Sequence, residues 1–244
     1  MKYFLLLAAL LLPALAADVC DPRPFQGAYA FQLSGETRIS SDGKPKPAAS
    51  IGNLTFDGEG GVSGYSSAQY AGYLQGNPIT GKYEAQTDCS IAWSLQDDSG
   101  AFQHFAGKMT PDFTHIDFHQ TDPGGPQQGL MMRTSDSCGT ATLHPQYRFT
   151  ISGSFTPMLD GQEAHRVALS GTAGVTGGKM SFTYSSDTPA VDGTVAVDSD
   201  CTVHVEIAGS SPMKLRGFLV DGGKEILAIQ TDPGFTVTAR FTLP

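Results

Sequence analysis

The chain has 244 residues, 40% hydrophobic and 16% charged, with 29 glycines, 15 prolines and a formal net charge of −9. Residues 18–137 hold 14 acids against 7 bases (−7), residues 138–244 hold 10 against 7 (−3), and Lys2 (+1) completes the sum. Neither half has the clustered Lys and Arg that nucleic acid or an anionic membrane face requires, so neither partner is expected.

Met1-Lys2-Tyr3, the apolar run Phe4 to Leu12 and the small-residue end Ala14-Leu15-Ala16-Ala17 read as a signal peptide over residues 1–17, cleaved near Ala16-Ala17. The predicted product is secreted or periplasmic. No later segment is apolar enough to span a bilayer, so no membrane insertion is expected.

Beyond the leader, the chain repeats itself. Gln120-Thr121-Asp122-Pro123-Gly124 recurs unchanged as Gln230-Thr231-Asp232-Pro233-Gly234, at an offset of 110. Asp88-Cys89-Ser90 matches Asp200-Cys201-Thr202 at 112, the stretch Gly58 to Gly64 matches Gly171 to Gly177 at 113, and Tyr29 to Gly35 matches Tyr147 to Gly153 at 118. Two units are therefore predicted, 18–137 and 138–244, each large enough to bury its own core.

The first predicted strand holds Tyr29, Phe31 and Leu33 on one face; its copy holds Tyr147, Phe149 and Ile151. Cys89, Ile91, Trp93 and Leu95 alternate with polar or small residues, as do Cys201, Val203, Val205 and Ile207. This period of two, broken by Gly and Pro about every ten residues, predicts about eight short strands per unit and no amphipathic helix. The fold class is all-β: two tandem antiparallel β-barrels rather than sandwiches. The spacing of Trp93 from Cys89 does not suit an immunoglobulin core, and the Gly-rich hairpins suit tightly coiled strands.

All four cysteines follow the repeat, Cys20 and Cys138 each standing nine residues before Tyr29 and Tyr147, and Cys89 aligning with Cys201. Four cysteines allow three connectivities. A unit that once folded alone would have carried its own bridge, which selects Cys20–Cys89 and Cys138–Cys201.

Three groups of residues invite chemistry. Asp-Pro-Gly in the repeated pentapeptide reads as a turn, with the Asp accepting a local backbone hydrogen bond and Gly at positive φ. His115, Asp117 and His119 alternate on one strand face and could present two imidazoles and a carboxylate to a metal ion. The aligned residues Glu225, Leu227 and Ile229 do not repeat the set, and an exposed polar face is the simpler reading. Tyr29, Phe31, Tyr83 and Trp93 are inward-facing aromatics that either fill the first barrel or line an apolar pocket. Tyr83 and Trp93 align with Val195 and Val205, so a pocket is expected in the first unit. No nucleophile, phosphate-binding or dinucleotide motif is present, and no cofactor is expected.

Gly27-Ala28-Tyr29-Ala30-Phe31, Gly61-Val62-Ser63-Gly64 and Gly81-Lys82-Tyr83 resemble the strand starts of calycin-type secreted barrels: lipocalins, avidins and allene-oxide-cyclase-like proteins. The lipocalin Gly-x-Trp signature is replaced by Gly27-Ala28-Tyr29, so no ligand or site residue carries over. The leading expectation is a non-catalytic tandem barrel that binds a small apolar or amphipathic ligand or a partner surface. A cyclase or isomerase using an apolar barrel cavity is the alternative that the resemblance implies, and a structural or cell-surface interaction module is the third. Oligomeric state is not legible.

Overall fold

The computed structural model describes residues 19–23, 25–38, 44–70, 72–124, 126–135, 137–157, 164–185 and 189–244. The expected leader and its cleavage point lie outside the described residues. Among these residues no helix is long and apolar enough to cross a membrane.

The first unit contains β1 (Gly27–Thr37), β2 (Lys46–Phe56), β3 (Gly61–Tyr70), β4 (Tyr73–Ala85), β5 (Ser90–Asp97), β6 (Phe102–Met109), β7 (His115–Gln120) and β8 (Gln127–Arg133). The second contains β9 (Gln146–Phe155), β10 (His165–Thr176), β11 (Lys179–Thr183), β12 (Val191–Val197), β13 (Thr202–Ile207), β14 (Met213–Val220), β15 (Glu225–Gln230) and β16 (Phe235–Thr242). Each set pairs antiparallel in chain order and closes on itself, β8 onto β1 and β16 onto β9. Closure leaves no free sheet edge. The bridges are Cys20–Cys89 and Cys138–Cys201, each within its own unit.

The period of two builds each lumen. On β5, Ile91, Trp93 and Leu95 are buried, and on β13 Val203, Val205 and Ile207 are their counterparts. One end of each barrel is held shut by a tyrosine: Tyr29 Oη donates to Phe113 O (2.8 Å), and Tyr147 Oη donates to Gly223 O (2.5 Å). Both accepting residues have positive φ, +58° for Phe113 and +92° for Gly223. The tight loop turns its carbonyl onto the phenol in both copies.

At the opposite rim the repeated pentapeptide is a clasp between strands. Asp122 accepts from His104 N (2.6 Å) and Asp232 from Lys214 N (2.8 Å), while Thr121 N and Thr231 N donate back to His104 O and Lys214 O. The expected local turn bond is thus corrected: each carboxylate reaches the strand eighteen residues earlier. The positive φ is also partial, present at Gly234 and not among the positive values at Gly124.

The ladder registers correct one part of the repeat alignment. Tyr29 faces Leu54 and Tyr147 faces Ala173, then Leu54 faces Gly64 and Ala173 faces Phe182. Gly64 therefore corresponds to Phe182, at an offset of 118, and the match of Gly58–Gly64 to Gly171–Gly177 is one strand out of step. Glycine-rich runs resemble one another whether they sit in a turn or a strand, which is why the sequence match misled.

The two barrels meet wall to wall. Ala30, Ala49, Ile51 and Met132 on the outside of the first form one buried cluster with Phe218, Val220, Leu227 and Ile229 on the outside of the second. Gln32 Nε2 donates to Ala228 O (2.7 Å) and Ala239 O (2.9 Å), and Gln69 Nε2 donates to Gln230 O (3.2 Å). At the β3–β4 turn Gly72 (φ +88°) accepts from Gly234 N. A Cβ on Gly72 would lie 2.7 Å from Gly234 Cα, so only glycine permits this approach.

Candidate ligand cavity in the first barrel

The closed end of the first barrel is filled with rings. Phe25 packs on Tyr29, Phe56, Tyr83 and Phe113 at centroid distances of 4.8 to 5.9 Å, and Tyr83 Oη donates to Phe25 O (3.1 Å). Burial raises the pKa of both Tyr29 and Tyr83. Above them Trp93, 4% exposed, stacks on Phe105 (5.3 Å, 20°) and meets Phe118 edge-on (5.0 Å). Among the described residues, these two layers are packed ring against ring.

The third layer opens. Phe31, Leu33, Ile79, Leu95 and Phe105 form the apolar lining of a cavity of about 180 Å³, and Ser50, Ser66, Gln75, Asn77, Asp97 and Gln103 supply its polar wall. It continues into a funnel of about 560 Å³ bounded by Thr37, Arg38, Lys46, Gln69, Tyr70, Tyr73 and Gln127. Ser50, Ala68, Gln75, Ala101 and Gln103 line both spaces. Asp97 Oδ1 accepts from Ser99 N (2.9 Å) and Ser99 Oγ (2.5 Å), and the hydroxyl bond is the main cause of its lowered pKa. The wall therefore carries one ionised carboxylate among neutral amides and hydroxyls.

In the second barrel larger side chains stand at the matching positions, and the registers show which. Phe182 stands where the first barrel has Gly64; two residues on, just past the end of β11, Tyr184 stands at the same offset from Ser66. Both rings pack on Phe149, the counterpart of Phe31, at 5.6 and 5.4 Å. Around the same rim Ser50, Asp97, Gln103 and Gln127 correspond to Leu169, Gly209, Met213 and Val237. The second barrel has large apolar groups or no side chain where the first has small or polar ones.

Of the four aromatics expected to bind, Phe31 lines the cavity, Trp93 lies one layer beneath it, and Tyr29 and Tyr83 belong to the closed end. The sequence reading did not single out Ser50, Ser66, Gln75, Asn77, Asp97 or Gln103. The signal that could have found them was present in Phe182 and Tyr184, which need a correct register before they can be compared with Gly64 and Ser66.

His115, Asp117 and His119 lie on the outer face of β7, between inward Ile116 and Phe118. His115 Nε2 lies 2.9 Å from Asp117 Oδ1, while His119 is exposed. Among the described residues no group of three or more His, Cys, Asp or Glu side chains is placed to hold a metal ion.

The chain matches no protein-family model and no curated protein.

Proposed function

We propose that this protein is a non-catalytic binding protein whose first barrel holds a small amphipathic ligand and whose second barrel is a rigid support. The observation that carries the reading is the paired difference between the copies: Gly64 and Ser66 against Phe182 and Tyr184. Duplicated lumens with the same strand scaffold differ where one is open. An apolar floor with a few converging polar groups is the usual composition of a small-molecule pocket.

The cyclase or isomerase reading draws less support. The titratable group of the inner wall is Asp97, whose pKa is lowered through Ser99 rather than raised toward neutrality, so it is poorly tuned as a general acid or base. The two disulfides are compatible with an extracellular or periplasmic site of action, to which a leader over residues 1–17 would direct the chain before its cleavage. The test is a pair of variants. Ser66→Tyr should abolish uptake of a copurified or added ligand while Tyr184→Ser in the second barrel should leave it intact; the reverse pattern refutes the assignment.

A further inference from the structure

We infer that the first barrel's cavity takes the terminal ring of a neutral carbohydrate, an inference that rests on the pocket reading above. Depth limits the ligand first. The floor ends at Phe31 and Phe105, with Trp93 and Phe118 packed directly below, so about 180 Å³ is available before the funnel begins. An engineered cavity of about 150 Å³ in another protein accommodates benzene, so this space fits one six-membered ring and not an extended acyl chain.

The wall then selects polarity. Hydroxyls on Ser50 and Ser66 and the amides of Asn77 and Gln103 can each donate and accept, which is the hydrogen-bonding character of a polyol. Among the described residues neither Lys, Arg nor His lines the inner cavity, so an anionic head meets no counter-charge from them there. A cationic ligand would meet one carboxylate, Asp97, but would pass Arg38 and Lys46 at the mouth. A neutral ring that gives one or two hydroxyl protons to Asp97 satisfies the set without burying an unpaired charge.

The mouth extends the same chemistry. Tyr70 and Tyr73 face each other across the β3–β4 hairpin and line the funnel, and Tyr73 is 60% exposed. Exposed aromatic surface beside a polar pocket marks an interaction site, and a phenol presents an apolar face and a hydrogen-bonding tip together. A second sugar unit leaving the cavity would lie against these rings.

The test uses the whole chain with its disulfides intact. Saturation-transfer NMR and Trp93 fluorescence are recorded with methyl glucosides, galactosides and mannosides, their α1–4 and β1–4 disaccharides, dodecanoate and choline, on wild type, Ser66→Tyr and Gln103→Met. Both substitutions install the residue that the second barrel carries at the aligned position, and circular dichroism checks each fold. At least one saccharide should bind wild type, weaken tenfold or more in Ser66→Tyr and severalfold in Gln103→Met, with no binding of dodecanoate or choline. Binding of dodecanoate or choline alone, lost in Ser66→Tyr, overturns the carbohydrate assignment and leaves the pocket standing. Saccharide binding unchanged in both variants puts the sugar outside the cavity and overturns the inference. No binding of any probe overturns the carbohydrate inference together with the amphipathic pocket on which it rests.

Discussion

Gln32 is the most economical place to test whether the two barrels are one thermodynamic body. Its amide donates to two carbonyls of the second barrel, at 2.7 Å to Ala228 and 2.9 Å to Ala239, from a residue that is itself buried. A buried neutral hydrogen bond contributes a net ~1 kcal/mol, so Gln32→Ala, which removes both and leaves the carbonyls facing a void, should cost about 2 kcal/mol. With a urea m-value of about 2 kcal/mol/M the midpoint should fall by roughly 1 M. Gln32→Glu should fall further, because it places a carboxylate oxygen against carbonyl oxygen. The assay is urea unfolding followed by Trp93 fluorescence, which reports on the first barrel alone, and by far-UV circular dichroism, which reports on both. Coincident wild-type transitions and a matched shift of both probes are expected. A midpoint change below about 0.2 M in Gln32→Ala, or two separated wild-type transitions, would refute the coupling.

Three further outcomes follow from the fold. Removing either bridge by Cys→Ser at both ends should cost about 4 kcal/mol on the chain-entropy model, given loops spanning 69 and 63 residues, and a loss under about 1 kcal/mol by urea titration would contradict it. Tyr29→Phe should lose about 1 kcal/mol by orphaning a loop carbonyl, and Tyr147→Phe should lose more because its hydroxyl also accepts from His144 N (2.9 Å); no loss in either variant by urea titration would contradict the role. Stability should also depend on acid. Asp57 is lowered by the Glu59 and Gly61 backbone N–H groups, Asp88 by the Ser90 hydroxyl, Asp112 by the Thr110 hydroxyl and Asp200 by the Thr202 backbone N–H. Folded pKa values below the unfolded one of about 3.9 stabilise the protein above that pH and lose their effect as pH falls through them. The urea midpoint should thus be flat from pH 8 to about pH 5 and drop below about pH 4; a midpoint that rises on acidification would contradict the assignment.

The barrels were legible because their determinants are local and doubled. Tyr29 and Tyr147, the cysteines and the QTDPG clasps sit at matched spacings, and each lumen alternates along its strands. The contact between barrels was less legible for a physical reason. Ile226-Leu227-Ala228-Ile229 is a continuous apolar run, and β15 is buried along its whole length because one face meets the lumen and the other meets the first barrel. In an isolated barrel such a run breaks the alternation, and it went unread as an interface.

The cavity was hidden by the opposite effect. Ser50, Ser66 and Asn77 look like solvent-facing strand positions in sequence, and only the register turns them inward. Trp93 and Tyr83 drew attention through their size, yet large rings that align with valine fill space in the first barrel rather than mark its opening. The informative substitutions were those in which the second copy is the larger.

The most direct measurement is native mass spectrometry of wild type and Ser66→Tyr purified in parallel from the natural source. The account predicts a discrete added mass on wild type, of the size of a small sugar, that is absent from Ser66→Tyr. The same added mass on both proteins, or on neither, would contradict it.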